Sequence, residues 1–128
     1  MTSLLSNSRR HDVTFYSNGT IDISARIAKQ LALADGDVID VLHDNGEYLL
    51  YIRHKKSDII GRHEGTVHPV NNSKAFTNRF RVNSRKLAEA IFKAAGKEHA
   101  KVLHLPAGLQ VIIEGYGTAI PLITRNPL

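Results

Sequence analysis

The stretch that decides the fold is VTFYSNGTIDISARIAKQLALADGDVIDVLHDNGEYLLYIR, residues 13–53. It opens with two short runs, 12–16 and 20–23, that alternate apolar and polar side chains as half-buried strands do. The pair Asn18-Gly19 between them favours a tight turn, because both residues tolerate positive φ. We therefore predict that the stretch begins with a β-hairpin.

A short helix is predicted next, over residues 24–31. Ser24 is a suitable N-cap, because its hydroxyl can accept a hydrogen bond from the first helical turn. The residues that follow at the spacing of one helical face are Ile27, Ala28 and Leu31. Gly36 can take the left-handed conformation that ends a helix, so the helix should be short.

A second hairpin completes the stretch. Residues 38–42 and 47–53 are rich in strand-forming side chains, and the turn between them contains Asn45-Gly46. The predicted order is therefore strand, strand, helix, strand, strand.

Residues 55–78 are predicted to be a connector, because they lack clear helical or strand periodicity. Two stretches inside it, 58–60 and 66–70, are compatible with short strands.

Residues 79–128 then predict a second module that packs directly on the first. In that module a strand at 79–82 leads into a helix capped by Asn83 or Ser84 and closed by Gly96. The apolar face of this helix comprises Leu87, Ala88 and Ile91.

The second module ends with a predicted hairpin and an edge strand. Residues 101–105 and 109–114 are the two arms of the hairpin, joined by a turn at 106–108. Residues 118–124 are expected at a sheet edge, because Pro121 lacks an N–H to donate. The two halves share an order of elements, but their offset drifts, so a true duplication and a generic recurrence both stay open.

Composition bounds the class of protein. The chain has 128 residues, the size of one ordinary domain or of two very small modules that share a core. Its 17 Lys and Arg residues exceed its 12 Asp and Glu residues, and the net charge of +5 suits a polyanionic partner. Because the sequence contains no cysteine, disulfides, thiolate metal sites and cysteine nucleophiles are excluded.

We expect a cytoplasmic protein that does not enter membranes, since neither a signal-peptide core nor an apolar run of about 18 residues is present. We also expect no enzyme activity, because P-loop, dinucleotide-binding and nucleophile-elbow motifs are missing. The seven His residues lack the spacing of a zinc site, so we expect no metal and no other cofactor.

Residues 13–53 resemble the AbrB and MazE family of swapped-hairpin regulators. The shared features are a glycine after the first strand (Gly19), an apolar strand that runs into a short helix, and the turn Gly36-Asp37 followed by an acidic and apolar strand. The resemblance implies a βαββ module over residues 11–54 whose hairpins interleave with those of a second module in one barrel. It also implies binding to duplex DNA.

The fold that we expect is therefore α+β and mostly β, an AbrB-like swapped-hairpin barrel of βαββ modules. The second module comes either from the same chain, as a duplication, or from another chain. We favour a homodimer or a higher homo-oligomer, because the connector is long and the repeat is imperfect.

The residues expected to contact DNA are basic and lie at strand ends and helix starts, where Arg and Lys can meet phosphates. They are Arg26, Lys29, Arg79, Arg81, Arg85 and Lys86. An ordinary solvated face is the alternative for this set.

The function that we expect is a DNA-binding protein, a transcriptional regulator that contacts duplex DNA through a basic face. The alternative is a non-enzymatic structural or protein-interaction module, for example of a phage or mobile element, that keeps the fold without DNA binding.

Overall fold

The computed structural model describes residues 11–61, 63–70, 79–125 and 127. These residues form nine strands and two α-helices, and the predicted class, α+β and mostly β, is confirmed. The strands are β1 (Val13–Tyr16), β2 (Thr20–Ile23), β3 (Val38–Asp44), β4 (Glu47–His54), β5 (Val67–Pro69), β6 (Phe80–Asn83), β7 (Val102–Leu105), β8 (Val111–Ile113) and β9 (Gly117–Leu122). The helices are α1 (Ala25–Leu31) and α2 (Arg85–Ala94).

The strands form two antiparallel sheets. Sheet A has the order β5-β6-β2-β1-β7, and sheet B has the order β3-β4-β9-β8. The predicted hairpins β1–β2 and β3–β4 are both present, and Asn45 and Gly46 have positive φ (49° and 78°) in the second turn. Strand β2 pairs with β6, with Ile21 opposite Val82, so the two halves of the chain share sheet A.

Both helices begin at serine caps. The Ser24 and Ser84 hydroxyls each accept a hydrogen bond from the backbone N–H three residues further on (3.4 and 3.1 Å). The Ser24 cap and the buried apolar face of α1 are as predicted. The left-handed residue that ends α1 is however Ala32 (φ 55°), whereas Gly36 (φ 92°) lies in the following turn.

The Gly-Asp turn before β3 ties the first half of the chain to the second. The Gly36 N–H donates to the Val67 carbonyl (2.9 Å), and the Val67 N–H donates to the Asp37 carbonyl (2.8 Å). The Ile39 N–H donates to the Gly65 carbonyl (2.9 Å). Gly65 has a φ of 88°, and a Cβ there would lie 2.7 Å from a backbone oxygen of β3, so this crossing requires glycine.

One core cluster takes side chains from both halves of the chain. Its fully buried large side chains include Val13, Phe15, Ile21, Ile23, Ile27, Leu50, Val67, Val82, Ile91, Leu105 and Ile120. A second, smaller cluster of Leu49, Tyr51 and Ala119 lies on the outer face of sheet B, because these residues alternate with the core residues of β4 and β9. Sheet B therefore carries apolar side chains on both faces.

The hairpin predicted from residues 101–105 and 109–114 is wrong. Strand β7 pairs with β1 in sheet A, whereas β8 pairs with β9 in sheet B. Beside β1, Leu103 and Leu105 of β7 are buried in the core. The segment between β7 and β8 crosses from one sheet to the other instead of turning back.

The edge position predicted for residues 118–124 is also wrong, because β9 lies between β4 and β8. The Pro121 carbonyl accepts a hydrogen bond from the Gly108 N–H (2.8 Å). The N–H and C=O of one strand residue point to the same side, so the N–H that Pro121 lacks would also point towards Gly108 and away from β4. Gly108 precedes the first residue of β8. No hydrogen bond to β4 is lost, and Pro121 is tolerated in an inner strand.

The predicted connector, residues 55–78, contains regular structure in its described part. The strand expected within 66–70 is present as β5, but 58–60 is not a strand. Lys56–Asp58 form a turn of 3-10 helix instead, and the Ile60 side chain is 99% exposed. Neither described helix is long and apolar enough to cross a membrane.

Candidate nucleic-acid interface

The outward side chains of β6 form a polar line on sheet A. Phe80 and Val82 are buried, while Arg81 and Asn83 are exposed, as the alternation of a half-buried strand requires. Arg79, directly before the strand, is exposed as well. Alternate residues of a strand are about 6.7 Å apart, so these three side chains extend over roughly 13 Å. We call Arg79, Arg81, Asn83 and the following Arg85 the β6 line.

The outer face of sheet A continues this polar character across the strands. The strand register places His68, Arg81, Asp22, Thr14 and His104 next to one another in a single row. All five lie on the face opposite to the core residues of the same strands. The sequence could not reveal this row, since it depends on which strands pair.

Arg81 is held by its neighbour in the row. Its Nε donates to Asp22 Oδ1 (2.7 Å) and its Nη2 donates to Asp22 Oδ2 (3.2 Å), which is a fork of two charge-assisted hydrogen bonds. The hydrogen bond and the charge of Asp22 raise the pKa of Arg81. The fork leaves the Nη1 group of Arg81 for a second acceptor, so Arg81 can contact a phosphate while it stays paired.

Arg26 is engaged in the fold itself. Its Nη2 lies 2.8 Å from a carboxylate oxygen of Asp12, whose side chain is only 4% exposed. The same oxygen accepts the Ala107 N–H (2.8 Å). Arg26 therefore neutralises a buried carboxylate that also holds the crossing between the two sheets.

Arg85 stands at the start of α2, against the β1–β2 turn. Its Cγ lies 2.8 Å from the position that a Cβ on Gly19 would occupy, so the turn can approach the helix only as glycine. The Thr20 hydroxyl donates to Asn83 Oδ1 (3.2 Å) beside this contact. Thr20 and Asn83 thus join the candidate site, although no sequence pattern singles them out as DNA contacts.

Lys29 and Lys86 are not members of the β6 line. Lys29 is exposed in the last turn of α1. Lys86 lines an open cleft together with Asp40, Arg53 and Glu64, where two carboxylates balance the positive charge. The six predicted residues therefore divide: Arg79, Arg81 and Arg85 belong to the β6 line, whereas Arg26, Lys29 and Lys86 do not.

The basic excess of the chain is not spread over the described surface. Four basic residues, Arg9, Arg10, Arg62 and Lys74, lie outside the described residues, which leaves 13 basic side chains against all 12 acidic ones. Three arginines and one lysine of the described part also pair with aspartates within 4 Å. A uniformly basic face is therefore not formed by the described residues, and any anion site has to be local.

Two histidines stack at the far edge of sheet A. The ring centroids of His11 and His104 are 4.2 Å apart, and His104 Nδ1 lies 3.0 Å from the Thr14 hydroxyl. Burial and the neighbouring His11 lower the pKa of His104. Within the described ranges, no three potential ligands among His, Asp and Glu come close enough together to hold a metal ion.

Comparison of the chain with protein-family models, with curated proteins and with solved structures gives no significant match.

Proposed function

We propose that this protein is a non-enzymatic DNA-binding protein of AbrB-like type, a regulator that contacts the backbone of duplex DNA through the β6 line. The observation that carries the proposal is the placement of Arg79 and Arg81 on the exposed face of the inner strand β6, with the exposed Arg85 directly following at the start of α2. Such a role requires the cytoplasmic location that we expect from the sequence.

The swapped-hairpin barrel belongs to this proposal, and the strand order supports it. Each half of the chain has a pair of antiparallel strands (β1 with β2, and β5 with β6), then a serine-capped helix, then a further strand. The strand after α2, β7, pairs with β1 of the first half. The strand after α1, β3, begins with a bridge between Val38 and Thr66, next to β5 of the second half. This reciprocal exchange is what two interleaved modules, duplicated within one chain, would produce.

The β6 line is suited to phosphate contact more than to base reading. Arginine forks bind phosphate oxygens, and such contacts position a protein on DNA without reading its sequence. Asn83 could read a base edge, but its Oδ1 already accepts a hydrogen bond from Thr20. We therefore expect sequence-tolerant binding that weakens steeply with salt.

Substitution of Arg79 and Arg85 by Glu tests the proposal. Arg81 is left intact, because a glutamate there would face Asp22 and disturb the fold. Binding of a short fluorescent duplex, measured by anisotropy at several salt concentrations, should weaken for all sequences alike. The slope of log K against log salt should fall by about 2, one unit for each lost phosphate contact.

The matched control is the double substitution of Lys93 and Lys97 by Glu, which changes the net charge by the same amount. Lys93 lies in the last turn of α2 and Lys97 lies beyond it, roughly 12 Å or more from the start of the helix. Equal losses in both double variants would mean that only net charge matters. An unaltered protein that binds no duplex at low salt would rule out the DNA-binding proposal.

A protein-interaction module is the second candidate, and the outer face of sheet B favours it. Leu49, Tyr51 and Ala119 on that face are buried within the chain, but the neighbouring Tyr116, Ile123 and Val111 are 49%, 40% and 38% exposed. An apolar sheet face beside an exposed aromatic residue is typical of a protein contact. If duplex DNA does not bind while this face supports association, the interaction module becomes the better description.

A further inference from the structure

Strand β8 forms one edge of sheet B and pairs with β9 on one side only. Its side chains are apolar and accessible: Ile112 is 73% exposed, and Leu109, just before the strand, is 90% exposed. Alternate N–H and C=O groups of an edge strand point outward without a partner from the sheet. An edge of this kind is a template on which another strand can pair.

The other sheet edges in the described part of the chain carry features that discourage such pairing. Strand β5 contains Pro69, and β7 is flanked by Lys101 and Pro106. Strand β3 carries Asp40 and Asp44. By contrast, the sequence GLQVII at residues 108–113 has neither a charge nor a proline, and a charge, Glu114, flanks β8 at one end alone. Charges and prolines are the usual means by which an edge is kept from pairing, so β8 is the edge left open to a partner.

We propose that two copies of this chain associate through β8, by antiparallel pairing of the two β8 strands around a two-fold axis at Ile112. In this register Val111 lies opposite the partner's Ile113, so only apolar side chains face one another along β8. None of the three paired residues is charged, so no two like charges oppose each other. The segment is therefore complementary to itself, which is the requirement for a two-fold contact.

Neighbouring side chains extend this contact beyond the strand. Tyr116 in the β8–β9 turn, Ile123 after β9 and Val111 are 49%, 40% and 38% exposed. Val111 shares the outer face of sheet B with Ala119, which lies opposite it in the register. Ala119 itself is fully buried, so the accessible apolar surface beside the β8 edge consists of Val111, Tyr116 and Ile123. A second copy would double every one of these contacts, which a single short peptide strand would not.

The substitution Ile112→Lys tests the association, because two lysines would meet at the two-fold axis. Val102→Lys is the matched control: Val102, like Ile112, is an exposed β-branched apolar residue (41%), but it lies on the edge strand β7 of sheet A. Light scattering of the full-length chain should give the dimer mass for the natural sequence and for Val102→Lys. Ile112→Lys should dissociate at least about 100-fold more readily, because apolar contact is lost and like charges face each other.

A cysteine substitution tests the register and does not rely on a charge. The natural sequence has no cysteine, so Ile112→Cys introduces a single thiol. Mild oxidation should link two copies far faster for Ile112→Cys than for Val102→Cys, because facing residues of antiparallel strands have Cβ atoms close enough to bridge. Circular dichroism checks that each variant is folded.

A natural sequence that stays monomeric at every accessible concentration would overturn the proposal. A dimer that survives Ile112→Lys, or equal cross-linking at both positions, would place the contact elsewhere and overturn it as well. The association does not rest on DNA binding, since β8 lies in sheet B and the β6 line lies in sheet A.

Discussion

Asp37 shows how a single residue can hold a turn that joins two halves of a fold. Its side chain is 1% exposed, and Oδ2 accepts hydrogen bonds from Lys55 Nζ (2.6 Å) and the Ala34 N–H (2.8 Å). Oδ1 accepts the Lys56 N–H (2.9 Å). Burial raises the pKa of Asp37, but the hydrogen bonds from Lys55, Lys56 and Ala34 outweigh burial, so the pKa is lowered overall. The Gly-Asp turn is thus fixed by charge as well as by backbone shape.

We expect Asp37→Asn to lower the free energy of unfolding at pH 7 by about 2–4 kcal/mol, because buried donors would lose a charged acceptor. The depressed pKa means that this stabilisation is complete above about pH 3.9, the ordinary value for aspartate, and is lost as the pH falls further. Urea denaturation of both proteins should therefore show a difference that is full at neutral pH and shrinks in acid. Asp44→Asn, at an exposed position, should change stability by less than about 0.5 kcal/mol. A difference that grows towards acid would contradict the assignment.

At the scale of the element, α1 depends on its buried face more than on its length. The helix has seven residues, too few to be stable alone, and Ile27, Ala28 and Leu31 are buried. We expect Leu31→Ala to cost roughly 2–5 kcal/mol, as other large-to-small core substitutions do. Lys29→Ala, in the same turn but exposed, should be nearly neutral. An unchanged melting temperature for Leu31→Ala would mean that the buried face is misassigned.

Local signals made most elements predictable, whereas the partners of the later strands were not. Alternation, the Asn45-Gly46 turn and the Ser24 cap depend on residues close together in the sequence, and these predictions hold. The pairing of β7 with β1 joins residues about 90 positions apart, and nothing near Leu103 in the sequence selects that partner. The same limit applies to the candidate site: Arg81 could be identified as basic, but its fork with Asp22 depends on the β2–β6 register.

At the scale of the whole molecule, the two sheets expose different surfaces. The outer face of sheet A presents a polar row that includes Arg81 and His104, whereas sheet B presents apolar side chains such as Tyr116 and Ile112 towards its outer face and edge. A polyanion and a second copy of the chain would therefore bind at separate places. The shared core explains why the two surfaces keep a fixed relation, since both sheets contribute to it.

The shared core also predicts that the first half cannot fold alone. In a fragment of residues 1–56, β1 loses β7, β2 loses β6 and β4 loses β9. The apolar faces of both hairpins would then be open to water, and about 45 residues rarely bury enough area to compensate. We expect this fragment to be unfolded or to self-associate, and to regain a cooperative melting transition when residues 57–128 are supplied as a separate chain. Circular dichroism and light scattering of each fragment and of their mixture would measure this. A monomeric 1–56 fragment with a cooperative melt of its own would show that the halves are independent modules.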